Sequence, residues 1–135
     1  MTLPIRPRRL RQSAAVRRLV AEHRLDPAQL VLPMFVREGI DEPRPMQSMP
    51  GVLHHSIDSL RRAAAEAAEA GIGGVMLFGV PEHRDGIGSG ATDPGGVLNV
   101  ATRAVAAEVG DAIVVQTDLC LDEFTDHGHL SLIHI

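Results

Sequence analysis

The order of the apolar segments restricts the possible folds more than any other feature of this sequence. Three short, continuous apolar runs alternate with two helix-like patterns, and each run suits a strand that is buried on both faces. This alternation predicts a parallel sheet with right-handed crossovers. Pro33 lies inside the first run and is expected at an edge or a bulge, because proline cannot donate to a neighbouring strand. The apolar runs occupy residues 30–36, 74–80 and 112–117, and the helical patterns run from Ser56, a suitable N-cap, to Gly71 and over residues 97–109.

The lengths of the connections narrow the fold further. The loops after the first two strands, residues 37–55 and 81–96, are long, whereas the helix-to-strand connections at residues 71–73 and 110–111 are short. A TIM (β/α)8 barrel has this asymmetry, because its active site is built from loops at the carboxyl ends of the strands. A complete barrel takes about 250 residues. These 135 residues therefore predict an α/β fold that is a partial TIM barrel, with the first three β/α units preceded by an N-terminal arm.

Charge is distributed unevenly along the chain. Residues 1–24 hold seven arginines and one acid, a formal charge of +6, whereas the other 111 residues carry −10. We predict that residues 1–29 form an arginine-rich arm that docks on the acidic body of another copy, giving a homo-oligomer. Nucleic-acid binding is the alternative for such an arm. Three phenylalanines and no tryptophan or tyrosine leave little aromatic surface on which bases could stack, which favours self-association.

Three features predict a cytoplasmic location. Cys120 is the only cysteine, which excludes an internal disulfide and fits a reducing compartment. No stretch approaches the roughly 18 apolar residues of a membrane span. The N-terminus also lacks the apolar core and small residues of a secretory signal.

The segment that follows the third predicted strand is the richest in chemical groups. Residues 118–129 hold four acids, two histidines and the only thiol. Thiolate, imidazole and carboxylate are the ligands that a zinc or magnesium site uses, although a solvated loop explains the same composition. Residues 86–90, Gly-Ile-Gly-Ser-Gly, follow the second strand and favour a mobile active-site loop over a phosphate-binding loop, because no Lys-Ser/Thr pair follows them.

Several separate blocks resemble the porphobilinogen synthase (5-aminolevulinate dehydratase) family in order and spacing. Because each block occurs in the expected order, the set is far more specific than any single block. The resemblance covers about residues 5–129, which corresponds to about the first two-fifths of a family member. The blocks are Arg-Pro-Arg-Arg-Leu-Arg at 6–11, Leu-Pro-Met-Phe-Val-Arg-Glu-Gly at 32–39, Ser-Met-Pro-Gly-Val at 48–52, Phe-Gly-Val-Pro at 78–81, Asp-Gly-Ile-Gly-Ser at 85–89 and residues 118–129.

The resemblance implies a lyase of tetrapyrrole (heme) biosynthesis. Members of this family fold as TIM barrels, commonly form octamers through an N-terminal arm, and condense two 5-aminolevulinate molecules to porphobilinogen with loss of two waters. Two lysines on later strands form Schiff bases with the substrates, because an amine of lowered pKa attacks a carbonyl at neutral pH. All thirteen basic residues here are arginine. We therefore expect this polypeptide to be inactive by itself.

The same resemblance assigns roles to four residues of the segment 118–129. Asp118 matches an active-site aspartate that contacts substrate and the reacting amine. Cys120 matches the first of three cysteines that bind catalytic zinc in one branch of the family. Asp122 stands at the second cysteine position, as in the branch that relies more on magnesium, so it is a doubtful zinc ligand. His129 matches a histidine that lies beside the metal rather than binding it.

The last six residues depart from the family. Residues 130–135 do not resemble the expected continuation, which begins with a Cys-Gly pair, and we interpret them as a non-native tail after the barrel part, residues 30–129. The zinc or magnesium, like the substrate, then belongs to a longer parent protein. The alternative functions are a non-enzymatic module that associates with full-length subunits through its arm and, less favoured, a nucleic-acid binder.

Overall fold

The computed structural model describes residues 7–133, so residues 1–6 of the predicted arm and the last two residues of the predicted tail lie outside the described part. In this part the chain forms three α-helices, five strands and three short 3-10 turns. The helices are α1 (Ala14–Leu19), α2 (Ile57–Glu69) and α3 (Val97–Val109), the strands are β1 (Val31–Arg37), β2 (Arg44–Pro45), β3 (Leu53–His55), β4 (Gly74–Val80) and β5 (Val114–Thr117), and the turns are Arg9–Arg11, Pro27–Gln29 and Ser89–Ala91.

The strands form one sheet in the order β2-β3-β1-β4-β5. The pairs β3–β1, β1–β4 and β4–β5 are parallel, which confirms the predicted parallel arrangement, and β2 is antiparallel to β3. The three predicted strands correspond to β1, β4 and β5, and the described residues hold two further strands that the sequence did not predict. The two additional strands are only two and three residues long, and they lie in a proline-containing segment without a continuous apolar run.

A side-chain cap marks the start of α2, and a glycine follows the end of both long helices. The hydroxyl of Ser56 accepts a hydrogen bond from the peptide N–H of Ser59 at 3.3 Å and caps α2. Gly71 and Gly110 follow α2 and α3 with positive φ angles of 78° and 53°, a conformation that favours glycine. Arg61 of α2 and Glu108 of α3 form a salt bridge at 2.6 Å, which joins the two helices on their exposed side.

Helices α2 and α3 cover one face of the sheet, and the other face stays partly exposed. Side chains that alternate along β1 and β4 are buried beneath α2 and α3 and form the core with apolar residues of the helices: Met34, Val36, Val75, Leu77, Leu60, Ala64, Ala101 and Val105. The intervening residues point to the opposite face. There Phe35 and Phe78 stack with ring centres 5.2 Å apart and stay partly exposed.

The arm and the start of the first strand carry exposed apolar side chains. No residue of α1 is buried, and the side chain of Leu19 is 85 % exposed. In β1, strand β3 covers only Phe35 and Val36 on one side. Pro33 therefore lies where one side of β1 has no neighbouring strand in the described chain, as expected for a proline. No helix of the described residues is long and apolar enough to cross a membrane.

Candidate functional site

The loops at the carboxyl ends of β1, β4 and β5 are joined to one another. After β1, the peptide N–H of Glu38 donates to the carbonyl of Val80 at 3.0 Å, and the carboxylate of Glu38 accepts from the peptide N–H of Glu82 at 2.8 Å. After β5, the peptide N–H of Asp118 donates to the carbonyl of Leu77 at 3.0 Å. The predicted site residues therefore start at the edge of the sheet where a barrel enzyme carries its active site.

Phe124 fixes the segment after β5 to the core. Its side chain is 2 % exposed, and the turn that carries it is closed by a hydrogen bond from its own peptide N–H to the carbonyl of Leu121 at 2.9 Å. A Cβ atom on Gly79 would lie 2.9 Å from Phe124 Cζ and 3.0 Å from Leu98 Cβ. Glycine at position 79 is therefore what allows the ring to lie against β4.

Asp118 and Cys120 lie beside a cavity of about 290 Å³ at the end of β5. Both residues are partly buried. The thiol of Cys120 donates a hydrogen bond to Oδ1 of Asp122, which raises the pKa of the thiol, with smaller contributions from burial and from the charges of Asp122 and Asp118. This hydrogen bond favours the protonated thiol over the thiolate, whereas a backbone hydrogen bond of Asp122 acts in the opposite direction.

The candidate metal ligands do not form a complete set. His129 is exposed, its ring stacks on that of His127 with ring centres 5.6 Å apart, and its peptide N–H donates a hydrogen bond to His127 Nδ1 at 3.1 Å. Within residues 7–133 no group of three or more histidine, cysteine and acidic side chains could hold a metal ion. One thiol and one carboxylate do not satisfy the four ligands that zinc normally takes. The metal roles of Cys120, Asp122 and His129 stay predictions.

Glu123 is an acid whose position the sequence analysis did not single out. Its Oε2 atom is shielded from solvent and has no hydrogen-bond partner. Burial raises the pKa of Glu123 to about 7, and the charge of Asp118 adds to this, whereas the peptide of Gly79 and the charge of Arg84 act in the opposite direction. The sequence carries no signal that separates Glu123 from the other three acids of residues 118–129.

Comparison with known proteins gives consistent matches. A model of the family described as "Delta-aminolevulinic acid dehydratase" matches residues 4–135. Proteins of that name from Mycobacterium tuberculosis (strain ATCC 25618 / H37Rv) and Streptomyces coelicolor are 62 % and 59 % identical over 130 residues, or 95 % of this chain. The chain spans about 40 % of the length of these curated relatives.

A solved structure supports the fold independently. The delta-aminolevulinic acid dehydratase (porphobilinogen synthase) of Toxoplasma gondii ME49, in complex with the reaction product porphobilinogen, is 34 % identical and superposes with a TM-score of 0.85. The match covers 96 % of this chain and 38 % of that one. The predicted partial TIM barrel is thereby confirmed. The division into residues 1–29, 30–129 and 130–135 stays a prediction, and the family match runs through the last of these ranges.

Proposed function

Because the chain belongs to the delta-aminolevulinic acid dehydratase family, we propose that it supplies the first part of the barrel of a porphobilinogen synthase. Such a lyase condenses two molecules of 5-aminolevulinate to porphobilinogen with loss of two waters, a step of heme biosynthesis. The observation that carries the proposal is that residues 118–129 follow the carboxyl end of β5. The chain superposes on the porphobilinogen-bound structure over 96 % of its length. The rest of the barrel and its lysines would come from chain beyond these residues.

Asp118 is the residue of this chain that we assign to the reaction. It follows β5 directly, is partly buried and borders the cavity beside Cys120 and Leu121. An ionised carboxylate in this position would bind the amino group of a substrate molecule and hold it beside the reacting carbon. The Schiff bases need lysine amines, and this sequence has none. The role of the chain is therefore to bind and orient, not to form the covalent bonds.

The metal belongs to the proposal only in part. The family is metal-dependent in general, and a metal ion would supply a Lewis acid or an activated water. Cys120 and Asp122 are the side chains that could contribute, in a zinc or a magnesium site of the complete protein. Because they do not form a sufficient ligand set among the described residues, we assign no step of the reaction to a metal held by this chain.

The arm supports the proposal of a homo-oligomer, with an octamer as the form that the family resemblance implies. No residue of α1 is buried, and Leu19 and Leu25 are 85 % and 83 % exposed. Apolar side chains on an arginine-rich segment suit contact with the acidic body of a second copy. A cytoplasmic location also stays a proposal, and it rests on the single cysteine and the composition of the sequence.

A chimera tests the proposed activity. Residues 4–129 would replace the matching segment of the Mycobacterium tuberculosis relative, so that the remaining three-fifths supplies the missing strands. We expect the purified chimera to convert 5-aminolevulinate to porphobilinogen, detected as a coloured adduct with an aromatic aldehyde. The 135-residue chain assayed in parallel should form none. A well-folded chimera without activity would contradict the proposal.

The second candidate function is that of a non-enzymatic module that associates with complete subunits through its arm. The unburied α1 and the absence of lysine are the observations that favour it. Co-expression of the tagged chain with the complete relative should then yield a mixed complex that survives size-exclusion chromatography. A variant with Arg17 and Arg18 replaced by glutamate should abolish that complex, and persistence of the complex would exclude docking through the arm.

A further inference from the structure

We propose that Asp85 is a positioning residue for the reaction, which holds the loop after β4 against the loop after β5. The inference rests on the proposed function, since it is that function which requires one fixed geometry at the end of β5. Asp85 lies in the β4–α3 loop and forms an isolated parallel β-bridge with Thr125 in the segment after β5. One residue therefore joins the two loops that border the candidate site.

The carboxylate of Asp85 forms hydrogen bonds within its own loop. Oδ1 accepts hydrogen bonds from the peptide N–H groups of Ile87 at 3.1 Å and Ser89 at 3.0 Å, and Oδ2 accepts from the hydroxyl of Ser89. These donors lower the pKa of Asp85, which keeps the acceptor ionised at neutral pH. The sequence predicts that this glycine-rich loop is mobile. The structure shows which hydrogen bonds such a motion would have to break.

The backbone of Asp85 then ties this loop to the segment after β5. Its peptide N–H donates to the carbonyl of Phe124 at 3.3 Å, and its carbonyl accepts from the peptide N–H of Asp126 at 3.1 Å. Nε2 of His127 lies 3.4 Å from the carbonyl oxygen of Gly86. Hydrogen bonds therefore join the two loops at the residues before and after Thr125, which is fully buried.

The turn that contains Gly88 lies close to Thr125, with no room for a larger side chain between them. Gly88 has a φ angle of +64°, and a Cβ atom there would lie 3.3 Å from Cγ2 of Thr125 and 3.4 Å from the carbonyl oxygen of Leu121. The hydroxyl of Thr125 in turn lies 3.4 Å from the carbonyl oxygen of Asp122. If the carboxylate of Asp85 no longer held the turn, the peptide hydrogen bonds of Asp85 with Phe124 and Asp126 would weaken and the segment that carries Asp122 would shift. A displacement of about 1 Å in an active site can cost about 100-fold in rate.

The experiment uses the chimera with three variants. Asp85→Ala removes all three side-chain hydrogen bonds, and Asp85→Asn keeps one carbonyl oxygen that can accept from both peptide N–H groups. The matched control is Asp93→Ala, because the carboxylate of Asp93 accepts only from the peptide N–H of Gly95, at 2.8 Å, among the hydrogen bonds of the described residues. We expect Asp85→Ala to lower kcat about 10- to 100-fold with KM within about twofold. Asp85→Asn should recover most of kcat, and Asp93→Ala should retain it.

A second measurement separates positioning from a general loss of structure. The peptide N–H of Asp126 donates to Asp85, so its hydrogen exchange should accelerate in Asp85→Ala and not in Asp93→Ala, while the thermal midpoint of the two variants agrees within a few degrees. Equal kcat values for Asp85→Ala and Asp93→Ala, or unchanged exchange at Asp126, would overturn the inference. An inactive parent chimera would refute the proposed function, and the exchange at Asp126 would still show separately whether Asp85 holds the two loops together.

Discussion

Truncation of Phe124 should separate the candidate site from the core of the protein. The side chain is 2 % exposed, and an aromatic ring in such a place buries about 150–250 Å². At about 25 cal/mol per Å² the ring contributes roughly 4–6 kcal/mol, an upper value because the unfolded chain already buries part of this surface. Removal of buried phenylalanine side chains costs about 3–5 kcal/mol. We therefore expect Phe124→Ala to lower the free energy of unfolding by about 4 kcal/mol.

The assay is urea unfolding of the chimera, followed by far-UV circular dichroism at a fixed protein concentration. Phe124→Leu should cost less than Phe124→Ala, because it leaves a smaller cavity against Gly79 and Leu98. The control is Ile87→Ala, whose side chain is 66 % exposed and whose loss should stay within about 0.5 kcal/mol. If Phe124→Ala were no more destabilising than Ile87→Ala, the ring would not anchor the segment after β5, and the reasoning would be wrong.

Three further predictions follow from burial and close contact. Glu123→Gln should raise stability by about 2 kcal/mol at pH 8 and change it little at pH 4. The folded-state pKa of about 7 lies above the ordinary value of 4.5, so ionisation of Glu123 destabilises the fold as the pH rises between these values. The full shift corresponds to about 3 kcal/mol, and solvent screening of the half-exposed side chain reduces it; Glu66→Gln, on an exposed site, is the control in the same urea titrations. Gly96→Ala should lower the thermal midpoint measurably, because its Cβ would lie 2.3 Å from the carbonyl oxygen of Gly90, and an unchanged midpoint would refute that close approach. The 135-residue chain alone should unfold without a sharp calorimetric transition, because Val31 and Val114 at the open strands are 45 % and 58 % exposed; a cooperative transition of a monomer would contradict this.

The sequence predicted the long elements well, because their signals are local. Strand β4 and helix α3 have the predicted bounds, and Ser56 caps α2 as expected. The apolar alternation, the N-cap and the glycines after the helices all act within a few residues.

Features that depend on distant contacts could not be predicted in this way. Strand β3 exists because His54 and His55 pair with β1, and no property of Leu53–His55 alone indicates it. The sequence does not indicate why position 79 in β4 is a glycine, because the reason is the position of the Phe124 ring in the folded chain. The same holds for Asp85, whose link to Thr125 crosses 40 residues of sequence. The roles predicted for Asp118 and Cys120 came from the resemblance to a known family, because composition alone left them open.

The most direct test of the account replaces the one carboxylate that it assigns to the reaction. Asp118→Asn in the chimera should reduce porphobilinogen formation at least about 100-fold while circular dichroism and the thermal midpoint stay those of the parent. Asp111→Asn provides the matched control, because Asp111 is exposed and lies before β5, at the opposite edge of the sheet, and it should retain full activity. If Asp118→Asn formed porphobilinogen as fast as Asp111→Asn, the end of β5 would not be the site of the reaction.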